Sequence, residues 1–122
     1  MKKEFALRTT PEQRRAVLDF AQQARKAKGE RILKIILIGS VARGDFGPDS
    51  DVDIVVVAES VDTDFKCEVW DIGARASLAH SVVLNVHIYS RTRWVKMRQE
   101  KNALWRNIER DGIDLMPEPI PA

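Results

Sequence analysis

Apolar positions Val17, Phe20, Ala21, Ala24 and Ala27 recur at steps of three and four, with Arg14, Arg15, Gln22, Arg25 and Lys26 on the other faces. That spacing predicts an amphipathic helix. Thr10-Pro11-Glu12-Gln13 supplies its start: Thr10 can cap, Pro11 tolerates the first turn, and Gln13 completes a capping box. Gly29 ends it. Ile32-Leu33-Lys34-Ile35-Ile36-Leu37-Ile38 is short and almost continuously apolar, which predicts a strand buried on both faces. It stops at Gly39-Ser40. Val41-Ala42-Arg43-Gly44 has the length of one helical turn, and Asp45-Phe46-Gly47-Pro48-Asp49-Ser50 is turn chemistry throughout. A second buried strand runs from Val52 to Ala58.

Over residues 62–80, Phe65, Val69, Ile72, Ala76 and Ala79 fall at helical steps. Val82 to Tyr89 reads as a third strand, Ser90 as the cap of a short helix through Arg91–Met97, and Asn102–Asp111 as a last helix stopped by Gly112. The order α-β-β-α-β-α-α predicts an α/β (α+β) domain, a small mixed β-sheet with helices packed on it. Residues 1–115 form that domain, and the proline-rich 116–122 is expected to be a tail.

The 122 residues suit one domain. Cys67 is the sole cysteine, so an internal disulfide and a four-cysteine zinc site are excluded. The basic start lacks the apolar stretch of a secretory signal, and no apolar run is long enough to cross a bilayer. A cytoplasmic protein with no membrane partner is expected. The net charge of +2 hides a polarised distribution. Residues 1–34 hold ten Lys/Arg against four Asp/Glu, whereas residues 35–64 hold one arginine against seven acids. An acidic segment within a slightly basic chain points to cation binding at one place, with a solvated acidic loop as the bland reading.

The acidic segment contains Gly39-Ser40, ten intervening residues, then Asp51-Val52-Asp53. Strand side chains alternate, so Asp51 and Asp53 leave the same face at one sheet end. Two carboxylates held that close resist ionising together unless a cation sits between them. Mg²⁺ is the natural partner, a hard ion held by one or two carboxylates plus substrate phosphates. Asp-x-Asp alone is also common as a strand-end pair facing water. Gly39 permits close backbone approach, Ser40 adds a hydroxyl donor, and Arg43 lies one turn along, within reach of a phosphate. No Gly-x-x-x-x-Gly-Lys or Gly-x-Gly-x-x-Gly occurs. Asp49-x-Asp51-x-Asp53 starts like a calcium loop, but Ile54 and Ser60 stand where that loop needs glycine and glutamate.

Gly39-Ser40, the ten-residue spacing and Asp51-Val52-Asp53 resemble the signature of the polymerase-beta-like nucleotidyltransferase superfamily. The Gly39-Ser-Val-Ala-Arg-Gly-Asp45 wording and small size are similar to its minimal nucleotidyltransferase (MNT) branch. The resemblance covers roughly residues 10–112 and is specific over 35–58. It implies the polymerase-beta-like fold and two Mg²⁺ ions bridged by Asp51 and Asp53. Gly39, Ser40 and Arg43 would bind ATP or another nucleoside triphosphate, and a hydroxyl would displace pyrophosphate at the α-phosphorus. The family places a third carboxylate on the next strand; here the resemblance implies Asn85 as its equivalent, with His87 on the same face. Asparagine offers an oxygen but cannot take a proton. Both residues read equally well as hydrogen-bonded edge residues. Such domains resemble antitoxins that add AMP to a tyrosine of a HEPN-domain ribonuclease, so a HEPN-domain partner is implied. A nucleic acid acceptor is a second class, which the sequence does not indicate. The alternative function is a catalytically weakened metal–nucleotide binding module or stoichiometric inhibitor. Trp70, Trp94 and Trp105 are expected in core or interface, and His80 at a cap or the surface. Asp64, Glu68 and Asp71 are remote candidates for the absent charge.

Overall fold

The computed structural model describes residues 9–39 and 51–116. Helix α1 spans Pro11–Lys28 and is entered through the capping box, with the Thr10 hydroxyl accepting from the Gln13 N–H and the Gln13 side chain accepting in return. A 3-10 turn, Gly29–Arg31, leads to β1 (Ile32–Ile38). Then come β2 (Val52–Ala58), α2 (Thr63–His80), β3 (Leu84–Ser90), α3 (Arg91–Glu100), α4 (Ala103–Asp111) and the two-residue β4 (Ile113–Asp114). The expected order holds, with β4 added at its end. The sheet order is β3-β2-β1-β4; β1 runs antiparallel to β2 and β4, and β2 runs parallel to β3.

Two apolar clusters lie on the two faces of this sheet. Val17, Phe20 and Ala24 of α1 and Phe65, Val69 and Ile72 of α2 bury Ile35, Leu37, Ile54 and Val56 on one face. The other face presents Ile36, Ile38, Val55 and Val57 to Trp94 of α3 and Ile108 of α4. Each fully buried large aliphatic or aromatic side chain contributes about 1.5–3 kcal/mol through surface removed from water. The central strand β2 therefore carries a nearly continuous apolar sequence. β1 departs from two-sided burial at its start: Leu33 and Lys34 are exposed, where a register shift breaks the pairing with β2.

Strand β3 forms an edge, and α2 covers part of it. Ser77 Oγ accepts from the Leu84 N–H at 3.1 Å, and the Trp70 indole N–H donates to the Val86 carbonyl at 3.0 Å. Gly73 lets α2 approach, since a Cβ there would stand 3.0 Å from Val86 Cγ2. Trp70 is thus half exposed yet bonded to the strand, while Trp94 and Trp105 meet edge to face at 4.9 Å under α3 and α4. His80 is neither cap nor free surface residue: its Nε2 lies 3.0 Å from Asp19 Oδ2 and ties α2 to α1, and Ser81 in the left-handed region closes the helix. Among the described residues no helix is long and apolar enough to cross a membrane.

Candidate active site

The parallel strands β2 and β3 begin at the same end of the sheet, and β1 ends there. The Val52 N–H bonds the Val83 carbonyl at 2.9 Å, which fixes that entrance. In register, Asp53 stands between Ile38 of β1 and Asn85 of β3, and Val55 is paired with His87. Alternation puts Asp51, Asp53, Val55 and Val57 on one face. That face is aliphatic where α3 and α4 cover it and carboxylate-bearing at the entrance.

Four polar side chains meet at the entrance. Asn85 Nδ2 donates to Asp51 Oδ2 at 3.4 Å, and His87 Nε2 lies 3.3 Å from Asp53 Oδ1. Each contact is a diagonal one between neighbouring strands, the kind that long side chains on one face can make. Asp51 is exposed and Asp53 half-buried, so both can meet a solvent-borne ligand. Gly39 completes the arrangement from β1. Its φ is +80°, and a Cβ built there would stand 2.7 Å from Asp53 Oδ2. Only glycine gives both that backbone conformation and that closeness.

The donor set suits a hard divalent cation. Two carboxylates share one face, an amide stands beside them, and close like charges favour a cation between them. Among the described residues no group of three carboxylate, imidazole or thiol side chains is arranged to hold a metal ion. An ion at this place would therefore take phosphate or water oxygens as well, as Mg²⁺ ordinarily does. The α2 acids do not supply a third carboxylate. Glu68 pairs with Lys28 and Asp71 with Arg75, on a helix that packs against the opposite face. Ser40 and Arg43, the other expected phosphate contacts, lie outside the described residues, as does the expected turn over 41–44. Sequence reasoning put His87 on one face with Asn85, and the register brings that face beside Asp51 and Asp53. It did not foresee that each touches a different aspartate, because strand register is not written in the periodicity.

Comparison with known proteins bears on this geometry. The family model described as a nucleotidyltransferase domain matches residues 17–111. Two Methanocaldococcus jannaschii proteins named as protein adenylyltransferases are similar to the chain. One is 38% identical over 76 residues, covering 62% of this chain and 72% of that protein, and the other is 33% identical over 64 residues, covering 52% and 65%. The fold resembles a toxin–antitoxin crystal structure with AMP-PNP, with a TM-score of 0.55 at 18% identity over 79% of this chain and 69% of that one. A Sulfolobus solfataricus protein described as a nucleotidyltransferase gives a TM-score of 0.52 at 13% identity over 93% and 87%. With the family model spanning most of its length, the chain belongs to the nucleotidyltransferase domain family.

Proposed function

We propose that this nucleotidyltransferase moves AMP from ATP to a hydroxyl on a protein, with Asp51 and Asp53 holding Mg²⁺ and Gly39, Ser40 and Arg43 binding the triphosphate. The observation that carries the reading is the approach of Gly39 to Asp53 at the sheet end where Asp51, Asn85 and His87 also meet. Divalent ions bound there, two in the family's scheme, would supply charge stabilisation at the α-phosphate and at the leaving pyrophosphate. The chain's own part is to hold two carboxylates at fixed spacing on a rigid strand and to bring backbone close to phosphate. The names of the M. jannaschii relatives support a protein acceptor. The toxin–antitoxin neighbour with AMP-PNP supports ATP as donor and an antitoxin role; the acceptor we propose, a tyrosine hydroxyl of a HEPN-domain toxin, follows from the family resemblance of residues 35–58.

Label transfer tests this directly. With α-³²P-ATP and Mg²⁺, a co-expressed HEPN-domain protein should become labelled, and with γ-³²P-ATP it should not. Absence of α-label while the triphosphate still binds would remove the transfer reading and leave a binding module or stoichiometric inhibitor. One feature favours that second reading: Asn85 is a neutral amide that cannot accept a proton from an attacking hydroxyl. Its replacement is informative. Asn85→Asp stands in register with Asp53 and should raise the rate of AMP transfer by about a hundredfold, the lower end of what a positioned base contributes. Single-turnover labelling measures it, and an unchanged or lower rate would remove Asn85 from the catalytic account.

A further inference from the structure

Helix α2 leaves part of its apolar surface in solvent. Trp70 is 49% exposed and Leu78 83%, and Val83, in the segment between α2 and β3, is 55% exposed. These are three of the five large apolar side chains exposed among the described residues, so the surface is concentrated here. Trp70, Ala74 and Leu78 follow one another at four-residue steps, which sets them in one row along the helix, and Ala74 is exposed like its neighbours in the row. Trp70 is also held in place. Its indole N–H donates to the Val86 carbonyl at 3.0 Å, so the ring keeps an exposed face while its one polar group is satisfied. An aromatic fixed in this way loses little freedom when another surface covers it.

We propose that two copies of this chain pair through this row, antiparallel about a two-fold axis at Ala74. Such an axis requires a surface that fits its own inverted copy, and the row has that symmetry. Trp70 and Leu78 stand equally far from Ala74, about 6 Å along the helix on either side. The axis therefore sets each copy's Trp70 beside the other's Leu78. Alanine at the crossing point allows the close helix approach, about 8–10 Å between axes, of packed helices. Asp71 and Arg75 flank Ala74 and form an ion pair at 3.2 Å within the helix. The same axis brings each copy's acid alongside the other's base. Helix α2 packs on the sheet face opposite Asp51 and Asp53, so pairing leaves both carboxylate faces open and does not depend on the chemistry assigned to them.

Three large side chains per copy fall short of the about 800 Å² per partner that a standard interface covers, so a dissociation constant on the order of 100 µM is expected. Sedimentation velocity on the full chain, from about tenfold below to tenfold above that value, should show monomer giving way to dimer. Leu78→Glu changes a side chain that is almost wholly in solvent. It should keep the melting temperature of the wild-type monomer and weaken the dimer by at least about tenfold. Ala74→Cys in a Cys67→Ser background should cross-link on mild oxidation, because Cα atoms facing each other across the axis would stand about 5 Å apart, within disulfide reach. Adding Leu78→Glu should suppress that link. A chain that stays monomeric throughout, or a dimer that survives Leu78→Glu, overturns the proposal. A chain that is monomeric alone and whose Leu78→Glu variant releases a co-expressed HEPN-domain protein also overturns it, and gives the row to that partner.

Discussion

Replacing both Asp51 and Asp53 by asparagine should lower AMP transfer by about a thousandfold or more, since the charge stabilisation supplied at the reacting phosphate is lost with its anchors. The fold should survive. Asp51 is exposed and Asp53 half-buried, and neither belongs to an apolar cluster. In metal-free buffer the double variant should melt at or above the wild-type temperature, because two like charges on one face repel. Adding Mg²⁺ and ATP should raise the melting temperature of the wild type and leave that of the variant unchanged. A variant that still gains stability from Mg²⁺–ATP would show that these carboxylates are not where the complex binds.

The second large effect is expected at Gly39. Gly39→Ala must either hold alanine at a φ of +80° or distort the end of β1, and its Cβ would collide with Asp53 Oδ2. The backbone term alone costs about 1–2 kcal/mol. Relief of the collision moves the carboxylate, so transfer should fall by about a hundredfold, the scale on which a 1 Å misplacement acts. The two consequences separate on measurement: thermal melting reads the strain, and transfer at a temperature where both proteins are folded reads the displacement. A variant with a lowered melting point and full activity would mean that Asp53 need not stand where Gly39 permits it.

Much of this site was legible before any coordinates. Alternation in Asp51-Val52-Asp53 is a covalent property of an extended chain, so the shared face followed at once. The capping pair Thr10 and Gln13 and the cap Ser90 were equally readable, being local chemistry within three residues. Helix α3 runs on to Glu100, three residues past the expected Met97, because Arg98, Gln99 and Glu100 are good helix formers and the stop is made by Lys101 in the left-handed region. A lysine gives no such warning. Strand β3 starts at Leu84 rather than Val82, since Ser81 also takes the left-handed conformation and the two valines are spent leaving it. β4 escaped notice for another reason. Two residues have no periodicity, and Ile113 and Asp114 become a strand only through pairing with Leu37 and Ile36. The same non-local register decides that Asn85 meets Asp51 and His87 meets Asp53, contacts that no spacing rule contains.

The side chains of Ser77 and Trp70 also bear on how this domain can join other chains. By occupying the Leu84 amide and the Val86 carbonyl, they deny an incoming strand two of the main-chain bonds on which edge-to-edge addition depends. Lengthening of the sheet by a foreign strand along β3 is thereby disfavoured, and recognition at this rim falls to side chains presented by α2.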